Sequence, residues 1–295
     1  MKLKIQSLSK TYPNGVKALK NVSLTINQGM FGLLGPNGAG KSSLMRTIAT
    51  LQEADEGSIT LDDLDVLKSK TEVRQILGYL PQDFGVYPRI SAEQMLDHIA
   101  QLKGIGKKSE RKELVAALLD KVNLSKDKKK NLGTYSGGMK QRFGIAQALM
   151  GNPKLIIVDE PTAGLDPAER NRFYNLLSQI GENTIVILST HIVEDVRTLC
   201  SDFAIICQGE VLYNGKPDDA IFDVAGKIYT KTIEKTDIES YKEKYKVIST
   251  QLKSGSLNLR IYSDTDPGDG FIASPVVLED VYFNRIAEKV DVVTL

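Results

Sequence analysis

A glycine-rich segment near the N-terminus has the residue types and spacing of a phosphate-binding loop. The eight residues from position 35 match the pattern G-x-x-x-x-G-K-[ST]: Gly35, Pro36, Asn37, Gly38, Ala39, Gly40, Lys41 and Ser42. An apolar run at residues 31–34 precedes them and a helical pattern follows, which is the context that this motif requires. Glycines let backbone N–H groups point into a concave loop. We expect Lys41 to contact the β- and γ-phosphates of a nucleotide and Ser42 to ligate Mg²⁺.

A second candidate site follows an apolar run at residues 155–158, where Asp159 and Glu160 stand side by side. Carboxylates at the end of a buried strand face the crevice in which α/β proteins bind ligands. Asp159 is suited to hold Mg²⁺ through a water molecule. Glu160 is suited to orient and polarise an attacking water as a general base. The alternative is a strand end with two solvated acids, but the phosphate-binding loop favours hydrolysis of a nucleoside triphosphate.

Two further positions could contact phosphate. His191 follows an apolar strand at residues 184–188, and its imidazole could donate to a γ-phosphate; a structural histidine is the alternative. Ser136 precedes Gly137 and Gly138 at the start of a helical pattern. Serine is a favoured N-cap, and glycines at a helix N-terminus allow an anion to approach closely.

The strands and helices that must position these residues alternate along the first ~215 residues. The length of 295 residues allows one large domain or two, at ~100–200 residues per domain. Continuous apolar runs at 32–34, 155–158, 185–188 and 203–207 predict buried parallel strands. Helical patterns at 42–50, 137–150 and 167–180 complete an α/β domain. Residues 3–8 and 18–26 flank a Pro-Asn-Gly turn and predict an antiparallel hairpin at the sheet edge, and residues 92–122 predict a helical insert. Strands at 246–251 and 257–262 and a helix at 277–289 predict a small C-terminal α/β region.

Composition excludes several classes of protein. The formal net charge is +1, so no global field favours nucleic acid as a partner. Cys200 and Cys207 lie in apolar stretches and fit neither a redox pair nor a metal site. No apolar run approaches the ~20 residues that a membrane-spanning helix needs. We therefore expect a chain that is soluble, or peripheral to a membrane through a partner.

Read together, these motifs resemble the ATP-binding cassette (ABC) ATPases. Residues 135–141, Tyr-Ser-Gly-Gly-Met-Lys-Gln, are similar to the family's signature segment and lie between the glycine-rich loop and the acidic strand, as in the family. The resemblance covers about residues 3–220. It implies an α/β fold with a P-loop ABC ATPase core at residues 1–219, an edge antiparallel β subdomain and a helical subdomain at about 83–150. A small C-terminal α/β accessory region would occupy residues 220–295.

The resemblance also implies roles for individual residues. Gln82 would contact Mg²⁺ and the attacking water, and residues 163–166 would form a dimer-facing loop. Tyr12 would stack on adenine, unless it is an ordinary aromatic of an edge strand. The implied nucleotide-binding set is Tyr12, Gly35, Pro36, Asn37, Gly38, Ala39, Gly40, Lys41, Ser42, Ser43, Ser136, Gly137 and Gly138. The implied catalytic set is Glu160, His191 and Gln82, and the implied metal set is Ser42, Gln82 and Asp159. Met139 stands where the family's signature commonly has Gln.

In the family, the phosphate-binding loop of one subunit faces the signature segment of another across ATP and Mg²⁺. This chain has one of each, so the resemblance implies a dimer with a second copy or a sister ATPase subunit. An integral membrane permease subunit on a separate chain would be the further partner. The aromatic stretch at residues 84–88 would dock that subunit, unless its side chains pack into the helical insert. The implied location is cytoplasmic, peripheral on the inner face of the cell membrane.

Residues 220–295 resemble, more weakly, the C-terminal extension of bacterial drug, lantibiotic and polysaccharide exporter cassettes, through the segment at residues 275–282. The expected function is thus ATP hydrolysis that drives export. One alternative is a soluble non-transport ABC ATPase of DNA repair, translation or iron–sulfur assembly. Another is a small-molecule kinase or GTPase, but the chain has no guanine-reading motif.

Overall fold

The computed structural model describes residues 1–82, 84–162, 165–253 and 255–290, so positions 163 and 164 of the predicted dimer-facing loop lie outside it. The strands of the described residues are β1 (Lys2–Thr11), β2 (Lys17–Asn27), β3 (Gly29–Leu34), β4 (Glu56–Leu61), β5 (Leu64–Asp65), β6 (Leu77–Leu80), β7 (Leu155–Asp159), β8 (Ile185–Thr190), β9 (Asp202–Cys207), β10 (Glu210–Gly215), β11 (Ile228–Ile233), β12 (Lys246–Lys253), β13 (Ser256–Tyr262) and β14 (Ile272–Ala273). The helices are α1 (Lys41–Ile48), α2 (Lys70–Ile76), α3 (Ala92–Leu102), α4 (Lys108–Lys121), α5 (Gly137–Ala148), α6 (Pro167–Gly181), α7 (Val193–Leu199), α8 (Pro217–Asp223), α9 (Ile238–Lys244) and α10 (Leu278–Ile286).

A six-stranded sheet lies at the centre of the first part of the chain. Its strand order is β10-β9-β3-β8-β7-β6, and all pairs are parallel except β9 with β10. Strands β7 and β8 are buried along their whole length. Burial on both faces explains why these strands are continuously apolar. Because the strands run parallel, the ends of β3, β7 and β8 meet at one edge of the sheet.

The N-terminal strands form a second sheet with the order β2-β1-β4-β5. Strands β1 and β2 pair as the predicted antiparallel hairpin. They belong to a separate sheet, and β2 contacts β10, the edge strand of the central sheet. An isolated hairpin is marginally stable, and β1 gains a second partner in β4. Alternate residues of β1, including Leu3 and Ile5, are buried in a core shared with Leu44 of α1.

The helical insert consists of α3, α4 and α5. Helix α3 begins at a capping box in which the Gln94 N–H donates to Ser91 Oγ (3.3 Å) and the Ser91 N–H donates to Gln94 Oε1 (3.1 Å). Buried residues such as Leu96 and Leu119 pack with Phe143 of α5 in one core cluster. The insert thereby holds the start of α5 next to the central sheet.

The C-terminal residues add an antiparallel sheet with the order β12-β13-β11-β14. Helix α10 packs on this sheet, and it also packs on α7 and α8. The carboxylate of Asp280 accepts from Arg260 at 2.7 and 2.6 Å and caps α10 by accepting from the Val277 N–H at 2.9 Å. The motif at residues 275–282 therefore begins a helix that joins the two parts of the chain. No helix among the described residues is long and apolar enough to cross a membrane.

Candidate functional site

The glycine-rich loop connects the end of β3 to the start of α1. Two of its glycines are required by close backbone contacts. A Cβ at Gly35 would lie 2.2 Å from the Ile206 carbonyl oxygen, and one at Gly40 would lie 2.4 Å from that of Ala18. Gly40 also has φ +107°, which residues with side chains rarely adopt. The strands beside the loop therefore restrict its conformation. We call the loop, residues 35–42, the cradle.

Lys41 lies inside this cradle. Its Nζ donates to the carbonyl oxygens of Gly35 (2.6 Å) and Pro36 (3.1 Å), and it lies 3.6 Å from Glu160 Oε1. Burial lowers the pKa of the ammonium group, while the Glu160 and Asp159 carboxylates oppose that shift. The ammonium group therefore lies inside the loop, between two backbone carbonyl oxygens and a carboxylate.

Glu160 comes directly after β7 and is 9% exposed. Its φ is +46°, an uncommon value for a residue with a side chain, and its N–H donates to the Ser189 carbonyl at 3.0 Å. Such backbone strain typically costs about 1–3 kcal/mol and concentrates at functional sites. The turn aims the carboxylate at the cradle instead of along the strand.

Two residues far apart in sequence converge on this carboxylate. Gln82, just after β6, donates its Nε2 to Glu160 Oε2 at 3.2 Å. His191, just after β8, places Nδ1 3.3 Å from the same oxygen. Both side chains reach solvent, whereas Lys41 and Glu160 are buried. The ends of β6, β7 and β8 thus bring an amide, a carboxylate and an imidazole together, and the start of α1 adds an ammonium group.

The residues present fit a Mg²⁺ ion. Asp159 Oδ1 is buried, and no described residue gives it a hydrogen bond. Ser42 lies beside this carboxylate. Burial raises the pKa of the Asp159 carboxyl, and the adjacent Glu160 acts in the same direction. A buried oxygen donor without a partner is suited to a hard cation. Mg²⁺ bound here would neutralise charge on phosphate oxygens.

A cleft of about 660 Å³ opens over the cradle. Residues 37–43 line it together with Tyr12, Gln82 and Glu160. The Tyr12 hydroxyl is hydrogen-bonded to Ser43 Oγ and donates to Gln52 Oε1, both at 3.0 Å. The cleft has the size range of small-ligand sites. It brings together most of the nucleotide-binding residues expected from the sequence.

Sequence reasoning missed Gln208, which also lines the cleft. It belongs to the Gln208-Gly209 turn between β9 and β10, and the Gly209 N–H donates to the Ala39 carbonyl at 2.8 Å. Gly209 was the available signal, because glycine between two strands indicates a tight turn. Nothing local indicated that this turn reaches the cradle.

The predicted signature segment lies elsewhere. Ser136 caps α5 by accepting from the Met139 N–H at 3.2 Å. A Cβ at Gly138 would lie 2.5 Å from Glu169 Oε2, so the helix start is packed tightly against α6. Among the described residues that line the cleft, none comes from this segment. The glycine-rich loop and the predicted signature segment, both suited to bind phosphate, therefore do not line one common cleft within a subunit.

The two aromatic side chains in residues 84–88 have different surroundings. The Phe84 ring is half-buried and packs beside Gly144 against the core cluster that includes Leu80, as the packing alternative describes. Glycine at position 144 leaves the space that the ring occupies. Tyr87 is 63% exposed. Its ring is therefore accessible to a partner.

The fold and the site define a P-loop ATPase with a helical insert. A family model described as ABC transporter matches residues 19–163. The chain is 37% identical over 227 residues to the linearmycin resistance ATP-binding protein LnrL of Bacillus subtilis (strain 168), covering 76% of this chain and 72% of that protein. It is 38% identical over 203 residues to the ABC transporter ATP-binding protein NatA of the same organism, covering 68% and 82%.

A solved structure is also similar: the dimeric post-hydrolysis state of the ATP-binding cassette MJ0796 bound to ADP and Pi. The TM-score is 0.66 at 28% identity, covering 72% of this chain and 98% of that one. This chain belongs to the family of ABC transporter ATP-binding proteins. It binds ATP and is an ATPase coupled to transport. The predicted family, fold class and enzyme activity are confirmed.

Proposed function

We propose that the chain is the motor subunit of an exporter and that it works as a dimer with a second copy or a sister subunit. One observation carries the dimer: the cradle and the signature segment, both suited to phosphate, are separate within one subunit. Two subunits arranged head to tail would bring Lys41 of one opposite Ser136 of the other. Residues 1–219 would form the ATPase domain and residues 220–295 the accessory domain.

Within each site, the residues of this chain have separate proposed roles. Lys41 and the loop N–H groups hold the phosphates, and Ser42, Gln82 and Asp159 hold Mg²⁺. Glu160 orients the attacking water and accepts its proton. His191 donates to the γ-phosphate and detects its loss. The contacts of Gln82 and His191 with one carboxylate oxygen support this division, because each would then respond to the state of Glu160.

Tyr12 is proposed to stack on adenine, and its position at the cleft supports this. Tyr12→Ala should weaken ATP binding by about 5- to 100-fold, since stacking on an aromatic ring contributes roughly 1–3 kcal/mol per base. Tyr12→Phe keeps the ring and should have a smaller effect. Calorimetric titration with ATP measures both. Inorganic tripolyphosphate is the control ligand, because its affinity should not change. Wild-type ATP affinity in Tyr12→Ala would make this residue an ordinary edge-strand aromatic.

Tyr87 is proposed to dock an integral membrane subunit. Its exposed ring lies in the connection between β6 and α3, five residues after Gln82. Tyr87→Asp should therefore prevent co-purification of that subunit from detergent-solubilised membranes. An aromatic anchor typically contributes ~2 kcal/mol or more, about 30-fold in Kd. ATPase activity of the isolated chain should be unchanged.

Leu102→Asp is the matched control for Tyr87→Asp. Leu102 is 75% exposed at the end of α3, the helix that follows the segment containing Tyr87. We expect this variant to retain the membrane subunit, whose identity mass spectrometry would establish. Equal retention by both variants would remove Tyr87 from the interface.

Export is the proposed direction, with the chain on the cytoplasmic face of the membrane. The resistance function in the name of LnrL and the resemblance of residues 275–282 to exporter cassettes support it. Growth of a strain without this chain is the test. Raised sensitivity to toxic compounds would support export, whereas failure to use one nutrient with unchanged sensitivity would support import.

A further inference from the structure

A fully buried carboxylate lies next to the site but outside the cleft. Asp195, in the first turn of α7, is 0% exposed. No Lys, Arg or His side chain pairs with it within the part of the chain that the structure describes. Instead it accepts hydrogen bonds from three hydroxyl groups, which belong to Thr162, Thr190 and Tyr174. A buried charge without a cation is costly, so such an arrangement requires all of its hydrogen bonds.

Two of the three hydroxyls belong to the segments that carry the site. Thr162 lies two residues after Glu160 and donates to Asp195 Oδ2 at 2.8 Å. Thr190 lies directly before His191 and donates to the same oxygen at 2.7 Å. The Thr190 hydroxyl also accepts from the Ile192 N–H at 2.9 Å. One carboxylate oxygen therefore ties together the backbone segments on which the carboxylate and the imidazole of the site are mounted.

The third hydroxyl provides an internal comparison. The Tyr174 hydroxyl, from α6, donates to the other oxygen, Asp195 Oδ1. Burial, together with this hydrogen bond to Asp195, raises the pKa of Tyr174. Tyr174 stabilises the same carboxylate but carries no residue of the site. The Tyr174 hydrogen bond can therefore be removed without changing a segment that carries Glu160 or His191.

We infer that Asp195 is a positioning residue that holds Glu160 and His191 at their observed separation of 3.3 Å. The inference rests on the proposed roles of those two side chains. The Oδ2 contacts fix the turn after β7 relative to the end of β8. Losing either contact lets the carboxylate and the imidazole move apart while the cradle, built from β3 and α1, keeps its shape. A displacement of ~1 Å can reduce turnover by about 100-fold.

Three near-isosteric variants test this inference: Thr162→Val, Thr190→Val and Tyr174→Phe. Each removes one hydrogen bond to Asp195, and Thr190→Val also removes the one from the Ile192 N–H. We expect the two valine variants to lower kcat by about 10- to 100-fold with little change in the KM for ATP, because misplacement affects turnover more than binding. Tyr174→Phe should lose a comparable amount of thermal stability but keep its kcat. Thr162→Ser, which keeps the hydroxyl, should restore kcat.

A purely structural role would give a different result. Wild-type kcat in both valine variants, or an equal loss of kcat in Tyr174→Phe, would overturn the inference. Asp195→Asn, which keeps the side-chain volume, gives an independent reading should a valine variant fail to fold: lowered kcat at unchanged KM supports the inference and unchanged kcat contradicts it. Glu160→Gln, measured in the same assay, separates this inference from the proposed roles of Glu160 and His191. If Glu160→Gln hydrolyses ATP at the wild-type rate, the proposed roles are wrong. If Glu160→Gln is inactive while the other variants keep the wild-type kcat, only the positioning inference is wrong.

Discussion

Replacing Glu160 with glutamine should lower ATP turnover by about 10²- to 10⁴-fold, the range contributed by a general base, while ATP binding persists. Glutamine has nearly the same shape and can keep the contacts with Gln82 and His191, but it cannot accept the proton of the attacking water. The variant should then accumulate as an ATP-bound dimer. Phosphate release measures turnover, and light scattering with Mg²⁺ and ATP measures the dimer.

Glu194→Gln is the matched control, because it makes the same chemical change at an exposed position three residues after His191. We expect this variant to hydrolyse ATP at the wild-type rate. If Glu160→Gln also retained normal turnover, Glu160 would not be the base. If it were inactive but stayed monomeric with ATP, the clamp between two subunits would be wrong while the base could stand.

Introducing a negative charge at the tip of α5 should have the second-largest effect. Ser136→Glu places a carboxylate at the proposed binding position of the partner's γ-phosphate. We expect ATP-dependent dimerisation to be lost and turnover to fall by about 100-fold or more, since an unfavourable charge contact at an interface costs several kcal/mol. The affinity of the isolated subunit for ATP should not change, because Ser136 does not line its own cleft.

Lys41→Ala is the comparison variant, because Lys41 belongs to the subunit's own cleft and Ser136 does not. Lys41→Ala should lose ATP affinity in the isolated subunit, whereas Ser136→Glu should not. Ser109→Glu controls for added charge, since Ser109 is exposed in the first turn of α4 and an acid is tolerated there. Normal dimerisation in Ser136→Glu would exclude this helix tip from the nucleotide site.

The elements around the site could be predicted because they depend on local sequence. Apolar runs, a glycine-rich loop and an N-cap serine each indicate a backbone conformation within a few residues. Those signals predicted β3, β7, β8 and the starts of α1 and α5, with ends displaced by a few residues. The fold class, helped by the resemblance, is confirmed by the structural similarity.

Local sequence could not predict the strand order of the second sheet or the burial of each aromatic side chain in residues 84–88. The partner of β1 in β4 lies about fifty residues along the chain, and the alternating pattern of β1 carries no information about which strand that is. Phe84 and Tyr87 are similar in sequence terms. Space left by Gly144 decides that the first packs inward.

The sequence by itself determined which residues could do chemistry and on which kind of element each lies, because motif spacing and backbone propensity are local. Only the tertiary structure decided that Gln82 and His191 meet at one oxygen of Glu160, that Gln208 reaches the cradle and that Asp195 joins Thr162 to Thr190. Those contacts join separate strands, loops and helices. Side-chain convergence of this kind follows from how the parallel strands are ordered in the sheet, and no single segment encodes that order.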